Sequence, residues 1–193
     1  MARISYPEEP ASAVARLPVP LNVFRMFSHA KELTGPAIDF GLAILTKTAL
    51  PPHLRELIIM AVGHWTGCDY EEVQHAPIAL DSGITPAELQ ALSASSPSAW
   101  ARLRDEADDG PFGAVEHAVL TAVAQLTLGH SLSSDTLGRL RVYLTDQQVV
   151  EATVTVGYYT LLANLINALA VDVDPLGEHL IPLANRRSTS NAV

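Results

Sequence analysis

Residues 67–75 read Gly-Cys-Asp-Tyr-Glu-Glu-Val-Gln-His, and this stretch says the most about the fold and its chemistry. If the stretch is helical, Cys68, Glu71 and His75 are spaced by three, four and seven residues and share one stripe of the helix. The residues around it are mostly apolar, so the stripe is expected to point inward. Burying three reactive groups together is costly unless they satisfy one another, which makes the stripe a candidate acid–base site.

The composition predicts a single domain over residues 1–193, with a flexible N-terminal arm and a frayed tail at 185–193. Hydrophobic residues make up 48% of the chain and charged residues 17%, which excludes a disordered chain and favours burial in a homo-oligomer. The net charge is −9, and the only basic cluster is Arg186-Arg187, which argues against nucleic acid as a partner. A lone cysteine cannot form an intrachain disulfide, and residues 1–10 lack the features of a secretory signal. We therefore expect a cytoplasmic protein.

Residues 152–171 contain no charged side chain and are long enough to cross a bilayer. The flanks are acidic, with Glu151 before the run and Asp172 and Asp174 after it, and no basic anchor is present. A helix that is apolar all round also suits the centre of an oligomer. The interpretation is a buried helix with part of its surface at a subunit interface, without a membrane.

The rest of the chain is predicted as a series of helices, because no run alternates in the way that strands do. Gly35-Pro36 is predicted to end one helix, and Pro77 to bend or end another. The stretch 93–110 is predicted to be a loop or connection. The predicted helices cover residues 20–33, 37–46, from 51 onward, 68–83, from 85 onward, 113–128, 134–144 and 146–170.

Glu56, Cys68, Glu71 and His75 form a frame that resembles the carboxymuconolactone decarboxylase and alkyl hydroperoxidase D superfamily. In the peroxidase branch the frame reads Glu, Cys, Cys, His, whereas the decarboxylase-like branch often has glutamate in place of the second cysteine. This chain is similar to the latter branch, which lacks the CxxC pair. The supporting segments are residues 54–57, 70–75, 82–84, 116–120 and 156–159.

The resemblance implies an all-α helical bundle of the alkyl hydroperoxidase D type that assembles into dimers, trimers or hexamers. It implies a small-molecule substrate, no cofactor and no metal. The candidate catalytic residues are His75, Glu71, Glu56 and Cys68, and the candidate substrate-binding residues are Arg55 and Tyr70.

Chemistry gives these residues a plausible task. A carboxylate beside an imidazole tunes its pKa and fixes its tautomer, and the pair can exchange a proton with carbon. Decarboxylation further requires stabilisation of the anion left when CO₂ departs. The leading hypothesis is therefore a cofactor-independent acid–base enzyme acting on a small carboxylated lactone or a similar activated carbonyl compound, with Arg55 as the nearest cation for its carboxylate.

Three alternatives stay open. Cys68 would be the oxidised residue of a single-cysteine hydroperoxide reductase, which needs an external thiol because no second cysteine is present. Glu56, Glu71 and His75 would supply ligands to a metal site. Lastly, the chain would be a non-catalytic member that binds a small apolar ligand, with Cys68 a buried hydrophobic residue and His75 a structural one.

Overall fold

One helix, α3 (Pro52–Trp65), is the centre of the fold, and ten consecutive residues of it, 54–63, are buried. The computed structural model describes residues 1–101, 110–175, 177 and 181. Within these residues all regular structure is helical, which confirms the predicted all-α class. Residues 102–109 of the predicted 93–110 connection and the whole 185–193 tail lie outside the described residues. The described part of that connection is not all loop, because it contains a short helix, Pro97–Trp100.

A short 3₁₀ helix, Ser12–Arg16, precedes the α-helices of the described chain. The α-helices are α1 Asn22–Phe27, α2 Lys31–Lys47, α3 Pro52–Trp65, α4 Asp69–Asp81, α5 Pro86–Ser93, α6 Pro97–Trp100, α7 Ala114–Gly129, α8 Ser134–Tyr143 and α9 Asp146–Leu169.

Helix α3 packs against α4, α7 and α9, which surround it. The turn into α4 passes through Gly67, whose φ of +62° lies in the left-handed region that glycine adopts without steric cost. Close approach of the two helices depends on Gly63, where a Cβ atom would lie 3.2 Å from the Cβ of Glu71. The α3–α4 pair is therefore a tight hairpin, and residues on its facing sides are forced together.

Two prolines lie inside helices that the sequence predicted to end or bend there. Pro36 lies within α2 and Pro77 within α4. Each proline removes one backbone hydrogen bond, but burial continues beyond it, with Ile38 after the first and Ile78 after the second. Tertiary packing on the buried face therefore outweighs the local cost. The predicted helix end at Gly35-Pro36 was wrong, and of the two outcomes predicted at Pro77, a bend or an early end, the early end does not occur. The first predicted helix instead ends at Phe27.

Helix α9 contains most of the uncharged run. Its length and composition would let it cross a membrane, a test that the core helices of soluble proteins also pass, and half of its most apolar window is buried. The buried side packs on α3 and α7. Its exposed side carries Val150, Val154 and Leu161, which are 61%, 37% and 49% exposed. A single copy of the chain therefore leaves one side of α9 exposed.

Candidate active site

The α3–α4 hairpin brings Glu56 and His75 into direct contact. Glu56 lies in the buried stretch of α3, and His75 lies two turns into α4. The Nδ1 atom of His75 is 2.9 Å from Oε2 of Glu56, and both side chains are almost completely buried. A carboxylate on Nδ1 leaves Nε2 as the ring nitrogen available for chemistry. The two helices therefore pack with the Glu56 and His75 side chains facing each other.

Glu71 lies on the other side of the imidazole. Its Oε2 atom is 3.6 Å from Nε2 of His75, one helical turn along α4. This separation is longer than a hydrogen bond, so the carboxyl group faces the imidazole without being locked to it. Glu71 is only 3% exposed. His75 is thus placed between two buried carboxyl groups, one that holds it and one that is less constrained.

The three groups have different pKa values because their surroundings differ. Burial opposes ionisation of Glu56, but the hydrogen bond and charge of His75 and the charge of Arg55 outweigh it and lower the pKa of Glu56. Burial likewise opposes the charged form of His75, yet its bond to Glu56 and the charges of both glutamates raise the pKa of His75. Burial raises the pKa of Glu71 to about 7, with the charge of His75 acting in the opposite direction. Glu71 is therefore the carboxyl group poised to exchange a proton near neutral pH.

Arg55 holds Glu56 rather than facing the cavity that adjoins His75. Its Nε donates to Oε1 of Glu56 at 2.8 Å, and its Nη1 donates to the carbonyl oxygen of Leu45 at 2.9 Å. The side chain is 1% exposed. Arg55 is not among the described residues that line this cavity, and its Nη2 atom is buried without a hydrogen-bond partner among the described residues. Its role in substrate binding stays a prediction.

Cys68 is not part of the helical stripe. It is the N-cap residue of α4, with φ of −101° and ψ of 81°, so the helical spacing assumed from the sequence does not extend to it. The side chain is fully buried, and burial raises the pKa of the thiol to about 12. A thiol reacts as its thiolate, so this environment disfavours the reactive form of Cys68. The structure thus favours its interpretation as a small buried hydrophobic residue.

A cavity of about 60 Å³ adjoins His75 and Glu71. The opposite walls are apolar and come from the segment before α1, from α1 and α2, and from α9. Among the described lining residues, His75 is the only cationic one, and none is Lys or Arg. The walls include Leu17, Leu21, Phe24, Ile38, Leu42, Leu45 and Leu162.

Tyr70 lines this cavity, as its predicted binding role requires, but its hydroxyl is already engaged. The hydroxyl donates to Oδ2 of Asp174 and accepts a hydrogen bond from the backbone N–H of Val23 at 3.3 Å. Burial raises the pKa of Tyr70, and the bond to Asp174 raises it further. Tyr70 therefore presents its ring to the cavity and ties α4 to the segment after α9.

Three further lining residues were not assigned to the site from the sequence. Gln74 is anchored through Nε2 to the carbonyl oxygens of Asp174 and Pro175, at 3.1 and 2.8 Å. Tyr159 packs edge-on against His75, with ring centroids 5.1 Å apart, and Tyr158 lies beside it. Gln74 lies one turn after Glu71, a spacing that was visible in the sequence. The two tyrosines are some eighty residues away, and nothing local pointed to them.

Metal binding receives no geometric support from the described residues, where no group of three or more His, Cys, Asp or Glu side chains is arranged to hold an ion. In particular, Glu56 and His75 direct their atoms at each other. An anchored imidazole, a second carboxyl group and an adjoining apolar cavity form an arrangement that can transfer protons.

Comparison with known proteins agrees with the sequence resemblance. The carboxymuconolactone decarboxylase family profile matches residues 36–107, a segment that contains Glu56, Glu71 and His75. No curated protein sequence matches the chain. These residues and the helical fold confirm the predicted resemblance to the carboxymuconolactone decarboxylase and alkylhydroperoxidase D-like superfamily.

Two solved structures have a similar fold. One is described as an alkylhydroperoxidase AhpD core, an uncharacterized peroxidase-related protein from Ralstonia eutropha JMP134; it has a TM-score of 0.70 and 16% identity, with 92% of this chain and 96% of that chain covered. The other is an uncharacterized peroxidase-related protein from Silicibacter sp. TM1040, with a TM-score of 0.71 and 15% identity over 90% of this chain and 92% of that one. At these identities the likeness concerns the fold.

Proposed function

We propose that this chain is a cofactor-independent acid–base enzyme that decarboxylates a small activated carbonyl acid, such as a carboxylated lactone. The observation that carries the proposal is the position of His75, with Nδ1 bonded to Glu56 at 2.9 Å and Nε2 facing Glu71 at 3.6 Å. The family match of residues 36–107 supports the same class of reaction.

The proposed reaction divides the work between two side chains. When the carbon–carbon bond to the carboxylate breaks, CO₂ leaves and the electron pair moves into the conjugated carbonyl, which becomes an enolate. The imidazolium N–H at Nε2 of His75 donates to the enolate oxygen and stabilises its charge. Glu71 in its acid form then gives its proton to carbon and takes another from solvent. Glu56 keeps the imidazole charged and oriented.

The test is turnover of a panel of small β-keto acids and carboxylated lactones, measured as CO₂ release. We expect His75→Gln and Glu71→Gln each to lower turnover by roughly a hundredfold or more, the usual scale for a positioned acid or base. Glu72→Gln is the matched control, because Glu72 is half-buried and contacts His64 instead of His75. Full turnover in both site variants would mean that the catalytic groups lie elsewhere.

Cys68→Ser separates this reaction from hydroperoxide reduction. The thiol is buried and its pKa is raised to about 12, so we expect Cys68→Ser to leave CO₂ release nearly unchanged. Consumption of an organic hydroperoxide with an external thiol is measured in parallel. Hydroperoxide turnover that far exceeds decarboxylation and disappears in Cys68→Ser would replace the acid–base proposal with the peroxidase alternative.

A further inference from the structure

The cavity beside His75 has a definite charge requirement. Among its described lining residues the one cation is His75, whose Nδ1 is already paired with Glu56, a residue that does not line the cavity. The Nε2 side faces Glu71 and the cavity. The cavity-facing end of the site is thus positive when Glu71 is neutral, and its charge is cancelled when Glu71 is ionised.

The opposite walls add a size and polarity requirement. The side chains there are leucines, an isoleucine and a phenylalanine, and the cavity volume is about 60 Å³. A charged group directed at these walls would lose its hydration without gaining a partner, which is a large penalty. A ligand with one anionic group and a compact apolar body fits both ends, whereas a ligand with a second carboxylate does not.

The groups around Glu71 determine how it responds to such a ligand. His75 faces it from its own helix, Glu56 lies behind His75 on α3, and Arg55 lies behind Glu56. From α9 come Tyr158 and Tyr159, which are neutral because burial raises the pKa of each hydroxyl. The lining residues of α2, Ile38, Gly41, Leu42 and Leu45, carry no titratable group. A negative ligand therefore meets one negative group that has no hydrogen-bond donor of its own and that can be neutralised by a proton.

We infer that this site binds small acids carrying a single negative charge and an apolar body, and that each anion is taken up together with one proton on Glu71. In that step the ligand's anionic oxygen pairs with Nε2–H of His75, and the Glu71 carboxylate becomes a carboxylic acid. This inference rests on the proposed function and narrows its substrate class to monoanions. The raised pKa of Glu71, about 7, supports proton uptake near neutral pH.

Binding of isobutyrate, methylmalonate and isobutyramide to the full chain tests this. Methylmalonate has the shape of isobutyrate with one methyl replaced by a second carboxylate, and isobutyramide is its neutral counterpart. We expect isobutyrate to bind at least tenfold more tightly than either of the other two compounds. Binding is measured from the NMR shifts of the His75 ring. The affinity for isobutyrate is expected to fall by up to tenfold per pH unit above about pH 7, because one proton is bound with each anion.

Glu71→Gln is expected to bind isobutyrate at low pH as the wild type does, but its affinity should hardly fall between about pH 7 and pH 8. In Glu72→Gln the affinity should fall over this range as in the wild type. Two results on the wild-type protein would overturn the inference. One is that methylmalonate binds as tightly as isobutyrate, and the other is that the affinity for isobutyrate does not change with pH. CO₂ release that depends on Glu71 and His75 alongside such binding data would leave the proposed function standing and remove only the monoanion class.

Discussion

Glu71 is the residue at which folding and function compete. Its carboxyl group is buried without a hydrogen-bond donor, facing His75 across 3.6 Å. A chain selected for stability alone would place an apolar or amide side chain there. Retaining an acid at this position stores free energy that is released on protonation, and this is the property that a proton donor near pH 7 needs.

Stability should therefore depend on pH through Glu71. Its pKa is about 7 in the folded chain against 4.5 in the unfolded chain, so the unfolded chain releases this proton first and stability falls as pH rises through that window. The raised pKa of His75 acts in the same direction. Between about pH 5 and about pH 8, we expect the free energy of unfolding of Glu71→Gln to rise relative to that of the wild type by roughly 3 kcal/mol at most. Denaturant unfolding at both pH values measures this gain.

Glu56 is the control for this prediction, because its effect on stability should change with pH in the opposite direction. Its pKa is lowered in the folded chain, so its contribution is present at neutral pH and is lost as pH falls below the unfolded value. Glu56→Gln should consequently lose stability relative to wild type at neutral pH and less in acid. A Glu71→Gln variant with the same relative stability at both pH values would contradict the assignment of Glu71.

Among the elements, the fit between α2 and α9 depends on Gly41. A Cβ atom at this position would lie 2.5 Å from the Tyr158 hydroxyl, which donates to the carbonyl oxygen of Ala37. Gly41→Ala is expected to cost about 1–3 kcal/mol, because the ring has to move and its hydrogen bond is lost. In a Tyr158→Phe background the same change should cost less, since the nearest clashing atom is gone and alanine favours a helix by about 1 kcal/mol. Two ring carbons, 3.0 and 3.2 Å from the added Cβ atom, still have to move slightly.

Chemical denaturation of the four combinations forms a double-mutant cycle. Equal costs of Gly41→Ala in the two backgrounds would show that the hydroxyl is not the obstacle, which would contradict the described packing of Tyr158. The cycle also tests the cavity wall, because Gly41 and Tyr158 both line it.

The sequence predicted the elements better than their junctions. The predicted helix starts at residues 85 and 146 agree with the structure, where capping boxes at Thr85 and Thr145 begin α5 and α9; the side chains that satisfy the first N–H groups are local in sequence. The end predicted at Pro36 and the early end considered at Pro77 do not occur, because burial against distant surfaces decides whether a helix continues past a proline. Local pattern carries no information about that surface.

The site was predictable to a similar extent. Glu71 and His75 follow from their spacing of four residues on one helix, and Glu56 was assigned through the resemblance to the family frame. The part played by Arg55 was not predictable, since its neighbour Leu45 belongs to another helix. Nor was the place of Cys68, because its own backbone is not helical and it lies just before the helix that carries the stripe. Tyr158 and Tyr159 reach the site only through the tertiary packing of α9.

At the scale of the whole molecule, α9 leaves an apolar face exposed to solvent. Val150, Val154 and Leu161 lie on one uncharged face, and a groove lined by residues of α7 and α9 adjoins them. We expect the chain to associate with copies of itself through this face at micromolar concentration, as burial of an apolar patch favours. Sedimentation velocity measures the assembly.

Leu161→Glu should shift the assembly toward monomer by tenfold or more in concentration, because an unpaired charge would be buried at the contact. Val142→Glu is the control, since Val142 is 73% exposed but lies on α8 and not on α9. A wild-type chain that sediments as a monodisperse monomer would contradict the expectation.

The origin of the proton that reaches carbon tests the central claim most directly. A substrate that the enzyme decarboxylates is turned over in D₂O, and the face of the carbon that receives deuterium is determined by NMR. Delivery from Glu71, held beside Nε2 of His75, predicts one deuterium on a single face in the wild type and a mixture of faces in the slow Glu71→Gln variant. A mixture in the wild type, or an unchanged single face at an unchanged rate in Glu71→Gln, would contradict it.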